Sequence, residues 1–150
     1  MAEKNPVFRF TIPGKPLPCA RARFSYATGK AYNAHQSVLD DRKTFVASEF
    51  IRQHSSPLQG PLYLKAMFLY KGTKKKWCQP KWTRPDLDNL LKRIMDDMNG
   101  VVYADDGQIV SLSDCGKIYG AEDHTVIEIG HFDGHFDGHF LEVFDNVDQA

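Results

Sequence analysis

Asp86, Asp88, Asp105 and Asp106 lie within about twenty residues of one another, and Lys92 falls between the two pairs. Hydrolysis of a phosphodiester requires negative charge to be neutralised around phosphorus and a hydroxide to be generated near neutral pH. A hard cation held by carboxylates supplies both. Mg²⁺ keeps several waters and takes one or two protein carboxylates together with phosphate oxygens, so these aspartates are candidates to hold one ion or two. Residues i and i+2 point to different sides of a regular helix. Asp86 and Asp88 therefore converge only if Asp86 precedes a helix and Asp88 sits in its first turn, an arrangement Pro85 favours. Lys92, four residues after Asp88, then rises over the same face, where its ammonium can stabilise charge developing on a phosphate oxygen.

Structural roles compete for each of these residues. Asp86 or Asp88 can be a helix N-cap, or simply complement the helix dipole. Asp88 and Lys92 have the spacing of an i,i+4 ion pair, and Asp105-Asp106-Gly107 has the composition of a turn. Spacing alone leaves these roles open beside the metal-binding one.

The elements that must position the aspartates follow from hydrophobic periodicity. Residues 7–12 alternate and are rich in β-formers, so they predict a first strand, ended by Pro13-Gly14. The loop 15–24 is kept extended by Pro16 and Pro18. A helix is expected from about Tyr32 to His54, with Asn33 as N-cap and Val38, Phe45, Phe50 and Ile51 sharing a face. Residues 62–70 read as a strand. Residues 71–84, with six cations and two tryptophans, are too polar for a core element. Leu87, Leu90, Leu91, Ile94, Met95 and Met98 form one apolar stripe, so 86–99 is predicted helical, with Asn99-Gly100 as its stop. Residues 101–104 are short and apolar. Residues 108–112 and 124–129 predict two more strands, expected as antiparallel neighbours joined through 116–123. The order β-α-β-α-β-β implies an α+β fold with helices packed on a mixed or antiparallel sheet.

A chain of 150 residues with 42% apolar and 25% charged residues is long enough for one compact domain with a real core. No run of about 18 apolar residues predicts a membrane span, and residues 1–6 lack the apolar stretch of a signal peptide, so a cytoplasmic setting is expected. Cys19, Cys78 and Cys115 have no CxxC spacing, which argues against a disulfide framework or a thiolate zinc site. The net charge of zero conceals an asymmetry: the first 120 residues hold all 19 Lys and Arg against 11 acids, a net of +8. The last thirty carry −8. A basic body suggests an anionic partner. Lys15, Arg21, Arg23, Lys74, Lys75, Lys76, Lys81 and Arg84 are candidate phosphate contacts that would offset the acids. Trp77 and Trp82 could stack on opened bases, but packing in the core or a dimer interface is the favoured reading. Residues 130–140 repeat a His-Phe-Asp-Gly unit. A helix there would align His131, His135 and His139, but its glycines disfavour helix by about 1 kcal/mol each. The expected division is a domain over 1–130 and a flexible acidic tail over 131–150.

The stretch Arg84-Pro-Asp-Leu-Asp-Asn-Leu-Leu-Lys92, with the following Asp, Asn99-Gly100 and Asp105-Asp106-Gly-Gln-Ile109, closely resembles the signature of the RusA family of Holliday-junction resolvases. The opening Phe10-Thr-Ile-Pro-Gly-Lys-Pro16 with Arg21-Ala-Arg23 is also similar, so the resemblance covers roughly residues 8–129. It implies a homodimeric endonuclease that uses Mg²⁺ to nick four-way DNA junctions symmetrically, in recombination and repair. It also implies that Asp86, Asp88 and Asp106 act together with Lys92, with Asp105 as a further ligand or orienting residue. The 71–84 segment and the repeat tail depart from the family pattern. Competing readings are a nuclease for flaps or other branched DNA, and a junction-binding protein without catalysis.

Overall fold

The computed structural model describes residues 7–19, 23–32, 36–134 and 136. Every second residue of β4 (Leu62–Lys71) is buried: Leu62, Leu64, Ala66, Phe68 and Tyr70 all point to one face. That period-two pattern makes β4 the central strand of a five-stranded mixed sheet. On one side β4 pairs antiparallel with β7 (His124–His131), which pairs antiparallel with β1 (Val7–Pro13). On the other side β5 (Ile109–Leu112) and β6 (Gly116–Gly120) lie along successive stretches of β4, both parallel to it. A separate hairpin joins β2 (Arg23–Ser25) and β3 (Lys30–Tyr32).

Helices α1 (Gln36–Gln53) and α2 (Leu87–Met98) contribute to the same core as the sheet. Phe8, Phe10, Ile12, Ile127 and Ile129 extend the buried face of β4, and Val46, Phe50, Leu90, Leu91, Ile94 and Met98 meet it from the helices. The architecture is the expected α+β class, with α2 packing through the predicted apolar stripe. Parallel β4 and β5 require a long crossover between them, and α2 lies within it.

Several local expectations are corrected. Residues 108–112 and 124–129 are not neighbours, because β4 separates β5 from β7. The 116–123 connection contains β6, whose residues Gly116–Tyr119 are all half-buried, so it shows no alternation for the sequence to reveal. The loop expected to run through Phe24 gives way to β2 at Arg23, and the described part of α1 begins at Gln36, not Tyr32. Asn33 and its proposed cap lie outside the described residues. The α1 core face is carried by Val46 and Phe50, while Val38 and Ile51 are exposed. Neither tryptophan is in the core: Trp82 is 89% exposed, and Trp77 is 40% exposed with its indole N–H on the Gly72 carbonyl. Cys19, Cys78 and Cys115 are free thiols. β7 runs through His131, and beyond it the repeat tail lies mostly outside the described residues.

Candidate active site

The site is built around α2. Its buried stripe turns the helix so that Asp88, Asn89 and Lys92 face outward. Pro85, preceded by a cis peptide bond, brings the chain in, and Asp86 occupies the N-cap in extended backbone conformation. The Asp86 carbonyl accepts the Leu90 N–H at 3.2 Å, but its carboxylate makes no capping hydrogen bond. That carboxylate is more than half exposed, with the Arg84 guanidinium 4.0 Å away. Asp86 precedes the helix and Asp88 is the acid of its first turn, which is the arrangement that convergence requires. Among the described residues, no ion pair joins Asp88 to Lys92, so the ordinary i,i+4 pairing is not what holds either side chain.

The second acidic pair is positioned by Tyr103. Its fully buried ring donates from the hydroxyl to the Met95 carbonyl at 2.6 Å, tying the segment to the C-terminal half of α2. Burial raises the Tyr103 phenol, and the negative charge of Asp106 raises it further, followed by Asp96 and Asp105. Asp105 and Asp106 have different structural duties. Asp105 caps a short 3-10 turn (Asp106–Gln108), its Oδ2 accepting the Gly107 N–H at 3.0 Å. Gln108 completes the box: its Oε1 accepts the N–H groups of Ala104 and Asp105, and its Nε2 donates to the carbonyls of Leu58 and Gly60. Asp106 has no such partner among the described residues.

This division predicts separable effects. Asp105→Ala should lower stability by about 0.5–2 kcal/mol in urea unfolding, the usual cost of losing a cap. Asp106→Ala should stay within about 0.5 kcal/mol of the parent, as expected for a surface change. Equal destabilisation by both would reject the division.

Asp86 and Asp88 thus stand at one end of α2, and the segment carrying Asp105 and Asp106 is tied to its other half through Tyr103. From Asp88 to Met95 the helix advances seven residues, roughly 10 Å. Among the described residues, no three acidic, histidine or cysteine side chains gather into a group able to hold a metal ion. The donors are of the right kind for a hard cation, being carboxylate oxygens, with Asp86, Asp88 and Asp105 exposed and Asp106 half-buried.

The candidate DNA contacts are spread over two regions. Lys15, Lys81 and Arg84 line one cavity beside Pro85. Lys81 is already engaged: its ammonium donates to Thr83 Oγ1 and the Arg84 carbonyl, both at 2.6 Å. Lys74, Lys75 and Lys76 form an exposed 3-10 turn, with Lys74 over the Trp77 ring and Lys76 over the Tyr119 ring. Arg23 lies on β2, and Arg21 is outside the described residues. Sequence reasoning missed Lys117, whose ammonium donates to the carbonyls of Thr83 and Pro85 and so fixes the turn that delivers Asp86. It also missed the buried Arg93–Asp97 ion pair on α2. The i,i+4 spacing of the latter was a visible signal; its burial was not.

Residues 13–130 match the family described as Endodeoxyribonuclease RusA. The Lactococcus phage r1t protein named crossover junction endodeoxyribonuclease rusA is 44% identical over 71 residues, covering 46% of this chain and 53% of that protein. The chain thus spans about half the length of that phage relative. An uncharacterized Bacillus subtilis (strain 168) protein, YqaN, is 28% identical over 135 residues, covering 81% of this chain and 94% of its own. With well over half of its length matched, the chain belongs to the RusA endodeoxyribonuclease family.

Proposed function

We propose that this chain is a Mg²⁺-dependent, structure-selective DNA endonuclease that resolves Holliday junctions by symmetric phosphodiester hydrolysis in recombination and repair. Its family and the name of the phage relative support the reaction class. The observation that carries the reading on this chain is Asp86: it stands at the N-cap of α2 with its carboxylate unused for capping, two residues from exposed Asp88. Asp86 and Asp88 would hold Mg²⁺, with Asp106 and then Asp105 as further ligands. When bound, the ion neutralises phosphate charge and lowers the pKa of water. Lys92, one turn beyond Asp88, stabilises charge on a phosphate oxygen. The acidic cluster would repel DNA without cations around it, a role assigned to Lys15, Arg21, Arg23, Lys74, Lys75, Lys76, Lys81 and Arg84. A homodimer would set two such sites across a two-fold axis, matching the symmetry of a four-way junction. A cytoplasmic setting belongs to this reading; among the described residues, no helix is long and apolar enough to cross a membrane. The domain is assigned to 1–130, with 131–150 as an appended acidic tail.

The test is a gel assay on four-way junction, flap and linear duplex, with and without Mg²⁺. Paired, symmetric nicks in the junction alone, only with Mg²⁺, are expected. Flap cleavage of equal rate would reject junction resolution as the specific activity, and binding without cleavage would reject catalysis. If six of the cations meet phosphates, junction affinity should fall on the order of 10³-fold between about 50 and 200 mM salt. A flat salt dependence would remove the basic rim.

A further inference from the structure

Beside the turn that delivers Asp86 lies a cavity of about 290 Å³ lined by Lys15, Lys71, Lys81, Arg84, Tyr70 and Asp123. Four cationic residues and one acid, Asp123, line it, so its lining carries an excess of positive charge. Asp123 is partly engaged, its Oδ1 accepting the Lys71 backbone N–H at 2.7 Å. Tyr70 contributes an unusual group. The residue is 3% exposed, yet its hydroxyl has no hydrogen-bond partner among the described residues. A buried hydroxyl left without a partner is costly and calls for a reason. Burial, and then the charge of Asp123, raise the Tyr70 phenol to about 12, so near neutral pH it remains a donor. The hydroxyl is therefore within the electrostatic reach of an acid that itself lines the cavity. The walls are held in place from within: the Lys81 ammonium sits 4.8 Å over the Tyr70 ring while donating to Thr83 and Arg84. Lys117 secures the Pro85 carbonyl at 2.7 Å.

A donor without an acceptor, beside a pocket lined by cations, is the complement of an anion with several oxygens. We infer that this cavity is a phosphate subsite that takes a backbone phosphate of the DNA strand next to the one presented to Asp86 and Asp88, with Tyr70 and Lys71 among its ligands. The inference rests on the nuclease reading for the identity of the strand, but not for the affinity for phosphate. Engagement of this subsite holds the strand in register at the start of α2, because Arg84 and Pro85 belong to both the cavity wall and the turn that carries Asp86.

The test compares the parent chain with Tyr70→Phe and Lys71→Met. Tyr70→Phe removes only the hydroxyl, and Lys71→Met leaves the backbone N–H on Asp123 in place. Two probes are titrated without metal: inorganic phosphate by calorimetry, and four-way junction DNA by fluorescence anisotropy at several salt concentrations. Each variant is expected to weaken both probes roughly tenfold, as for hydrogen bonds to a charged group. Lys71→Met should also reduce the salt slope for DNA by about one, whereas Tyr70→Phe should leave the slope unchanged. Unaltered junction affinity in both variants would overturn the subsite, even if the parent cuts junctions normally. Weakened phosphate binding with unaltered DNA affinity would also overturn it, since the pocket would then serve free phosphate and not the strand. Phosphate binding that persists in Asp86→Asn and is lost in Tyr70→Phe supports the subsite. If the parent then cuts no DNA, the nuclease reading alone fails.

Discussion

Asp86→Asn and Asp88→Asn are each expected to reduce junction cleavage by at least about 10²-fold, the scale for removing one electrostatic stabiliser of a transition state. Junction affinity in the absence of metal should stay the same or tighten. The change removes one negative charge where a phosphate must approach and alters neither shape nor helix packing, since both carboxylates are solvent-facing. Stability should also hold. Asp86 makes no side-chain capping bond, so asparagine there forfeits only an exposed contact with Arg84 at 4.0 Å. A single-turnover assay at saturating enzyme separates chemistry from binding. Parent-like cleavage in either variant would dismiss that carboxylate from the mechanism. Lost cleavage accompanied by a lowered unfolding midpoint would show that its role is to hold the fold.

The second large effect is on stability and comes from the opposite side of the same helix. Arg93 and Asp97, one turn apart on α2, are 5% and 2% exposed and form an ion pair through Nη2 and Oδ1. Arg93 Nε and Asp97 Oδ2 have no partner among the described residues. Removing two charges from water is costly, and imperfect satisfaction leaves much of that cost unrecovered. Asp97→Ala should destabilise the protein by about 3–5 kcal/mol, because it strands a buried guanidinium. The double variant Arg93→Met with Asp97→Leu should be neutral or more stable by about 1–4 kcal/mol. Urea unfolding of both variants checks the pair. A mild loss in Asp97→Ala would mean that Arg93 finds water.

The pH dependence has a definite sign. Burial raises the Asp97 carboxyl, with the hydrogen bond from Arg93 opposing it. A carboxyl whose folded pKa exceeds its unfolded one contributes stability below the unfolded value and loses it as pH rises through the folded value. The advantage of the double variant over the parent should therefore shrink as pH falls from about 7 towards the carboxylate range near 4.

Local periodicity and long-range packing contribute to this fold in different places. The apolar stripe of α2 needs only local periodicity, and Pro85 is enough to set its start, so the positions of Asp86, Asp88 and Lys92 on the helix followed directly. β4 was equally clear because one of its faces is buried throughout. β6 was not, because Gly116–Tyr119 are half-buried on both faces and leave no alternation. In α1 apolar residues occur around the helix, so only packing against Phe8 selected Phe50 for the core while leaving Ile51 exposed. The core alternative for Trp82 fails for a related reason: a large apolar ring is often buried, but this one lies in the polar 71–84 segment and stays exposed.

The sequence by itself determined the chemical inventory, the helix that displays it and the family to which it belongs. The inventory and the helix rest on neighbours within a few residues, and the family on a match over residues 13–130. Tertiary structure decided the rest through contacts that span the chain. The Tyr103 hydroxyl on Met95 ties the segment that carries Asp105 and Asp106 to the far half of α2. The Gln108 bridge to Leu58 and Gly60 separates Asp105, a cap, from Asp106, which is unoccupied among the described residues. Approach of β4, the 15–19 segment and the 81–85 turn creates the cationic cavity beside Asp86. A charge pattern shows which groups are available; only long-range packing decides which of them are desolvated, paired or left facing a substrate.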